Sequence, residues 1–179
     1  MNSQTLAVLA VPVNANDHIR GAKNAAITLV EYGDYECPYC AQAHYVVEQL
    51  EQMLADTMRF VFRDFPLSTV HPHATQAAEA AEAAGAQQEF WPMHDTLFEN
   101  QNALELEDLL QYATILDLDL PRFARDLNEH RYADRVREDF LGGVRSGVNG
   151  TPTFFINDVR HNGPFDLQSL LDAINDAVE

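Results

Sequence analysis

Residues 29–40 read LVEYGDYECPYC and hold both cysteines of this 179-residue chain. The stretch joins two elements. Upstream, AITLVEYG (Ala26–Gly33) is apolar and β-branched and ends at a glycine, the pattern of a buried strand. Downstream, YCAQAHYVVEQLEQML places Tyr39, Ala43, Val46, Val47, Leu50 and Leu54 at helical spacing, which predicts a helix from beside Cys37 to about Ala55. Pro38 suits a first helical turn, where its missing N–H is not needed and its fixed φ is already helical.

That placement carries chemistry. A thiol attacks only as thiolate, and a free cysteine of pKa about 8.5 is mostly protonated at neutral pH. At a helix start the unpaired N–H groups and the positive end of the macrodipole favour the anion. Cys40 sits three residues on, on the same helical face and within reach of a disulfide. Cys37 therefore reads as the nucleophile and Cys40 as the thiol that resolves the mixed disulfide. Two other readings stay open. The pair and His44 form a C-x-x-C-x-x-x-H string that offers three zinc ligands, although a closed structural site takes four and the chain has no second cysteine pair. His71 and His73 of "HPH" are further nitrogen donors, with nothing in the sequence to bring them near. The cysteines also fit as two small buried hydrophobes. Their position between strand and helix favours redox.

Further along, MRFVFRDF (Met58–Phe65) alternates as a second core strand, and no strand pattern appears from Pro66 to about Gly147. That span carries helical segments punctuated by Pro72, Gly85, Pro92 and Pro121, then a longer one, RYADRVREDFLGGVRSG. TPTFFIND is a strand, VRHNG the second arm of a hairpin turning at Asn157–Asp158, and DLQSLLDAINDAV a closing amphipathic helix. The order β-α-β, helical block, β-β-α defines an α/β fold with a central mixed sheet, helices on its faces and an all-α insertion.

Composition narrows the function. With 46% apolar residues the chain can bury a core, and its formal charge of −17 excludes nucleic acid as a natural partner and disfavours anionic membranes. No apolar stretch approaches the ~18 residues of a membrane span. The run Leu6–Val13 has no preceding Lys or Arg and reads as a first strand or arm rather than a signal core. A cytoplasmic protein is expected, or an extracytoplasmic one if a leader has been removed.

With LVEYGDYECPYC, the segments FVFRDFPL, HPHATQAAEAAEAAG, FWPMHDTLF and GVNGTPTFFIN occur in this order, and from about Asp17 to Val178 the chain resembles the DsbA-like thiol–disulfide oxidoreductases of the thioredoxin superfamily. The resemblance implies a thioredoxin-like domain from residues 1–65 and 148–179, with an inserted helical sub-domain at 66–147. It implies that Pro152 is the cis-proline facing the dithiol, although X-Pro bonds are cis only about 5–6% of the time. The backbone of Thr151 would then pair with an extended substrate, and Pro38 and Tyr39 would lie at the substrate surface. It also makes Glu31 a buried acid that accepts the Cys40 proton, against the plainer reading of an edge residue pointing to water. Asp34, Tyr35 and Glu36 are expected along the rim, with the charge of Glu36 opposing the thiolate.

One departure matters. The best-known members carry Pro-His between the cysteines, and this chain carries Pro-Tyr, as in glutaredoxins. Tyr39 brings no positive charge, so a thiolate less stabilised and a disulfide less oxidising than in Pro-His members are expected. No metal and no cofactor are expected beyond the Cys37–Cys40 dithiol, with glutathione an alternative small-thiol partner. Protein or peptide thiols and disulfides are the expected substrates, served by a recycling partner the sequence does not identify. Rival functions are a zinc- or partner-binding protein without redox activity, and a glutathione-dependent transferase or isomerase on the same fold.

Overall fold

The computed structural model describes residues 7–178. In chain order its elements are β1 (His18–Gly21), β2 (Ile27–Gly33), α1 (Pro38–Met53), β3 (Met58–Asp64), α2 (Ala74–Gly85), α3 (Phe90–Glu99), α4 (Leu106–Ile115), α5 (Leu120–Asn128), α6 (Ala133–Arg145), β4 (Thr153–Ile156), β5 (Val159–Arg160) and α7 (Leu167–Asp176). The strands form one mixed sheet in the order β1-β3-β2-β4-β5. β2 and β3 are parallel, and every other neighbouring pair is antiparallel. β2 is therefore hydrogen-bonded on both sides, and both of its faces must be covered.

Alternation along β2 sorts its side chains between the two faces. Ile27 and Leu29 join Phe60, Phe62 and Phe154 in a core built with α1, α2, α3 and α7. Val30 and Tyr32 point the other way, into a smaller core with Val61, Phe155 and Leu9, against which Phe140 of α6 packs. The alanine-rich α2 turns Ala77, Ala78, Ala80, Ala81, Ala83 and Ala84 into the first core. The five helices between β3 and β4 thus share a core with the sheet.

The expected elements are present, with one addition. β1, four residues antiparallel to β3, carries no apolar alternation that would announce it. Of the run Leu6–Val13, the described residues 7–13 form the expected arm: Val8 makes an isolated bridge to Val159, and the Leu9 N–H donates to the Asp158 carbonyl at 2.8 Å. Leu6 itself lies outside the described residues. Buried Arg63 fastens this arm, with Nε and Nη2 each 2.8 Å from an oxygen of the Asp17 carboxylate and Nη1 2.8 Å from the Val11 carbonyl. The hairpin turns where expected, with Asn157 and Asp158 both at positive φ, 45° and 69°, as a type I′ turn requires. Among the described residues no helix is long and apolar enough to cross a membrane.

Candidate active site

The two thiols stand where β2 hands the chain to α1. Cys37 is the N-cap of α1, with extended backbone (φ −74°, ψ 120°), and Pro38 opens the helix. The N–H groups of Tyr39 and Cys40 in the first turn favour the Cys37 thiolate. Both cysteines are free and buried. Cys40 lies one turn deeper, and its sulfur accepts the Asp34 N–H at 3.4 Å.

The two sulfurs have opposite protonation tendencies. The Cys37 pKa is lowered to about 5: a hydrogen bond from Cys40 leads, against the cost of burial, and the Thr151 hydroxyl and the N–H groups of Tyr39 and Cys40 assist. That hydroxyl is buried with no hydrogen-bond partner, so it is free to turn toward the Cys37 sulfur. The Thr151 carbonyl, 3.5 Å from Cys37 Sγ, accepts only from the protonated thiol. Burial raises Cys40 well above its usual value, and the hydrogen bond it gives to Cys37 and the charge of Glu31 add to this. One thiol ionises readily and the other holds its proton until something takes it.

Glu31 sits beneath them. On the central strand it is opposite Phe62 of β3 and Phe154 of β4, which removes the edge-strand reading. It is 1% exposed, and Oε1 has no hydrogen-bond partner. Burial first, and then the charge of Cys37, raise its pKa to about 8. Gly33 makes the room: a Cβ there would lie 2.4 Å from the Phe62 ring and 3.1 Å from Glu31 Oε1.

The Thr151–Pro152 peptide bond is cis, and its loop meets the dithiol through Thr151. Tyr39 is 60% exposed, and Pro38 is exposed as well. The rim differs from expectation. Asp34 and Tyr35 are each 1% exposed and belong to the interior. The Tyr35 ring packs against Phe62 and Phe98, and its hydroxyl is 3.0 Å from His94 Nδ1. Glu36 alone of the three remains partly exposed.

Two contributions are invisible along the chain. Gln101 Nε2 donates to the carbonyls of Tyr35 and Cys37, each at 2.8 Å, and pins the loop ahead of α1. His71 and His73 reach Asp34 and Glu36 at 2.8 and 2.7 Å, which brings "HPH" to the site the sequence could not assign it to. The zinc reading loses its geometry: among the described residues, no set of three converging ligand atoms includes Cys37 or Cys40, and His44 instead approaches His94, Asp95, Glu48 and Glu99.

A strand–turn–helix bearing an acidic and a buried thiol above a buried carboxyl, faced by a cis-proline loop, defines a thioredoxin-type dithiol site. The chain belongs to the family described as Thioredoxin, whose model matches residues 13–176. Its fold matches oxidised BdbD from Bacillus subtilis with a TM-score of 0.85 at 23% identity, covering 96% of this chain and 98% of that one. It matches a thioredoxin-like oxidoreductase from Silicibacter pomeroyi at 0.81 and 27% identity, covering 92% and 93%. Wolbachia pipientis alpha-DsbA1 follows at 0.79 and 22%, covering 95% and 94%. Among curated relatives, a protein named Na(+)/H(+) antiporter NhaA 1 from Salinispora arenicola is 49% identical over 178 residues, which is 98% of this chain but 27% of that protein. Another of that name, from Mycobacterium sp. (strain KMS), is 42% identical, covering 88% of this chain and 26% of that protein. The chain thus spans about a quarter of the length of the curated relatives it matches.

Proposed function

We propose that the chain is a DsbA-type thiol–disulfide oxidoreductase acting on protein or peptide thiols and disulfides. One observation carries the reading: Cys37 caps α1 with its thiolate favoured, while Cys40, one turn deeper, holds its proton above an unpartnered carboxyl. In the reducing direction the Cys37 thiolate attacks one sulfur of a substrate disulfide and the other leaves as thiolate. Glu31, as carboxylate, takes the Cys40 proton. The Cys40 sulfur then attacks Cys37 Sγ, which releases the second substrate thiolate and leaves the Cys37–Cys40 disulfide. The substrate gains two electrons and the dithiol loses two, and reversal of the steps is the oxidase direction. Pro38, Tyr39, Thr151 and Pro152 form the surface against which an extended substrate lies. No metal or organic cofactor enters these steps; a recycling partner, or glutathione, resets the dithiol.

Cys37→Ser and Cys40→Ser in a disulfide-exchange assay test this. Mixed disulfides accumulating on Cys40→Ser alone are expected; equal trapping by both variants would overturn the assignment. Equilibration with glutathione gives the potential, expected below the strongly oxidising value of about −120 mV because Tyr39 supplies no charge.

The antiporter-named relatives support a setting. We infer that this domain works beside a Na(+)/H(+) antiporter module and that its substrate cysteines are presented at a membrane. The cytoplasmic placement expected from the N-terminus draws no support from these matches. Identification of the proteins trapped by Cys40→Ser in native membranes checks the setting, and a trapped set without membrane proteins counts against it.

A further inference from the structure

His71 and His73 lead into α2, and each imidazole meets an acid of the loop that delivers Cys37. His71 Nδ1 lies 2.8 Å from Asp34 Oδ2. His73 Nδ1 lies 2.7 Å from Glu36 Oε1, and its backbone N–H donates to Glu36 Oε2 at 2.7 Å. Its Nε2 lies 3.0 Å from Glu105 Oε1. Glu36 directly precedes Cys37, and Asp34 is three residues before it. Two uncompensated carboxylates there would oppose the thiolate. Among the described residues the cationic side chains paired with them are these imidazoles, with no Lys or Arg in contact. Tyr39, between the cysteines, is neutral.

We propose that His71 and His73 are positioning residues of the dithiol, whose imidazolium charges cancel Asp34 and Glu36 beside Cys37 and make its reactivity depend on pH. The proposal rests on the thiol–disulfide reading and adds a regulation to that site.

The surroundings fix the sign. His71 faces Asp34, Glu36 and Cys37, with Asp64 of β3 behind Asp34; His73 faces Glu36 and Glu105. Burial works against a charge on His71, but the hydrogen bond and charge of Asp34 outweigh it and its pKa rises above 6.5. The hydrogen bond to Glu36 leads in raising His73. Below the imidazole range both carboxylates are compensated, the Cys37 thiolate is favoured, and the dithiol is favoured over the disulfide. As pH climbs through that range the cations beside Asp34 and Glu36 are lost. The thiolate is then destabilised and the couple becomes less oxidising.

The test uses the full chain and two readouts: ultraviolet absorbance of the Cys37 thiolate, titrated through its pKa of about 5, and equilibrium with glutathione across the imidazole range. The His71→Asn/His73→Asn variant is expected to lower the thiolate-to-thiol ratio up to about tenfold, one pKa unit. The oxidising equilibrium constant falls with it, tenfold being about 30 mV. The gap from wild type closes above the imidazole range. His71→Lys keeps a cation that does not titrate there, so it retains the wild-type Cys37 pKa and flattens the pH profile. A lower melting temperature with an unchanged Cys37 pKa in the Asn variant, or a gap persisting at alkaline pH, would overturn the proposal. If wild type exchanges no disulfides, the functional reading falls, and the absorbance titration still decides this one.

Discussion

A carboxyl on the middle strand of a sheet is costly unless its proton stays on, and Glu31 shows how the cost is met. Water is excluded and Oε1 has no partner, so the neutral acid is preferred and the pKa moves from 4.5 to about 8. Two consequences follow at this single residue. The folded state binds the proton more tightly than the unfolded chain, so stability from this group is full below pH 4.5 and is lost as pH rises through about 8. Relative to wild type, Glu31→Gln should gain stability progressively over that window, by at most about 1.4 kcal/mol per pH unit; parallel denaturation curves for both proteins measure it. The same variant should resolve mixed disulfides more slowly, on the order of a hundredfold, if Glu31 takes the Cys40 proton. Single-turnover release of a substrate thiol reads that rate, and an unchanged rate would leave Glu31 as a buried acid without a chemical part. The sequence showed Glu31 as an acid inside an apolar strand. It did not show that strands would flank it on both sides, because pairing across a sheet is a property of distant segments.

Elements with strong periodicity could be read directly: β2, α1, β3, the β4–β5 hairpin and α7 all stand within a few residues of the pattern that predicts them. β1 escaped because a four-residue edge strand needs no alternation, only a neighbour with free hydrogen-bonding groups. Tyr35 was misplaced for a related reason. Three residues before the helix suggested a rim, but the loop turns inward, and the carbonyls of Tyr35 and Cys37 are held by Gln101 from the α3–α4 connection. The junction between β2 and α1 is also tight where the pattern showed only a strand-ending glycine. A Cβ at Gly33 would press within 2.8 Å of two Phe62 ring atoms, in a core with Tyr35 on the other side of that ring. Gly33→Ala should therefore destabilise the fold by about 1–3 kcal/mol as the ring is displaced. Chemical denaturation measures the loss. The Cys37 thiolate absorbance should shift with it, since Phe62 lies opposite Glu31 in the sheet.

Over the whole molecule, 28 acidic side chains against 11 basic ones leave little cationic partnership for the acids that fold inward. Asp64 of β3, Glu82 of α2 and Asp139 of α6 converge in the interior, and the elements that carry them come from three separate parts of the chain. Arg135 hydrogen-bonds Asp139 and lies 3.9 Å from Glu82, whose nearer partner is His18 Nε2 at 3.0 Å, while Asp64 Oδ1 has no partner. Burial leads in raising both aspartates, Asp139 to about 6 and Asp64 well above its usual 3.8, with the charge of Glu82 adding to each. Since the folded-state pKa values are raised, the stability these groups contribute is complete below pH 3.8 and declines as pH rises through about 6 and beyond. The protein should unfold at higher denaturant near pH 5 than near pH 8, by a margin larger than Glu31 alone produces. Asp64→Asn keeps the shape, removes the charge and should flatten the profile, whereas Arg135→Met should steepen it by taking the hydrogen-bonded cation from Asp139. Urea titrations of the three proteins at several pH values measure the slopes. A wild-type profile as flat as that of Asp64→Asn would show that the carboxylates reach water or a counter-ion.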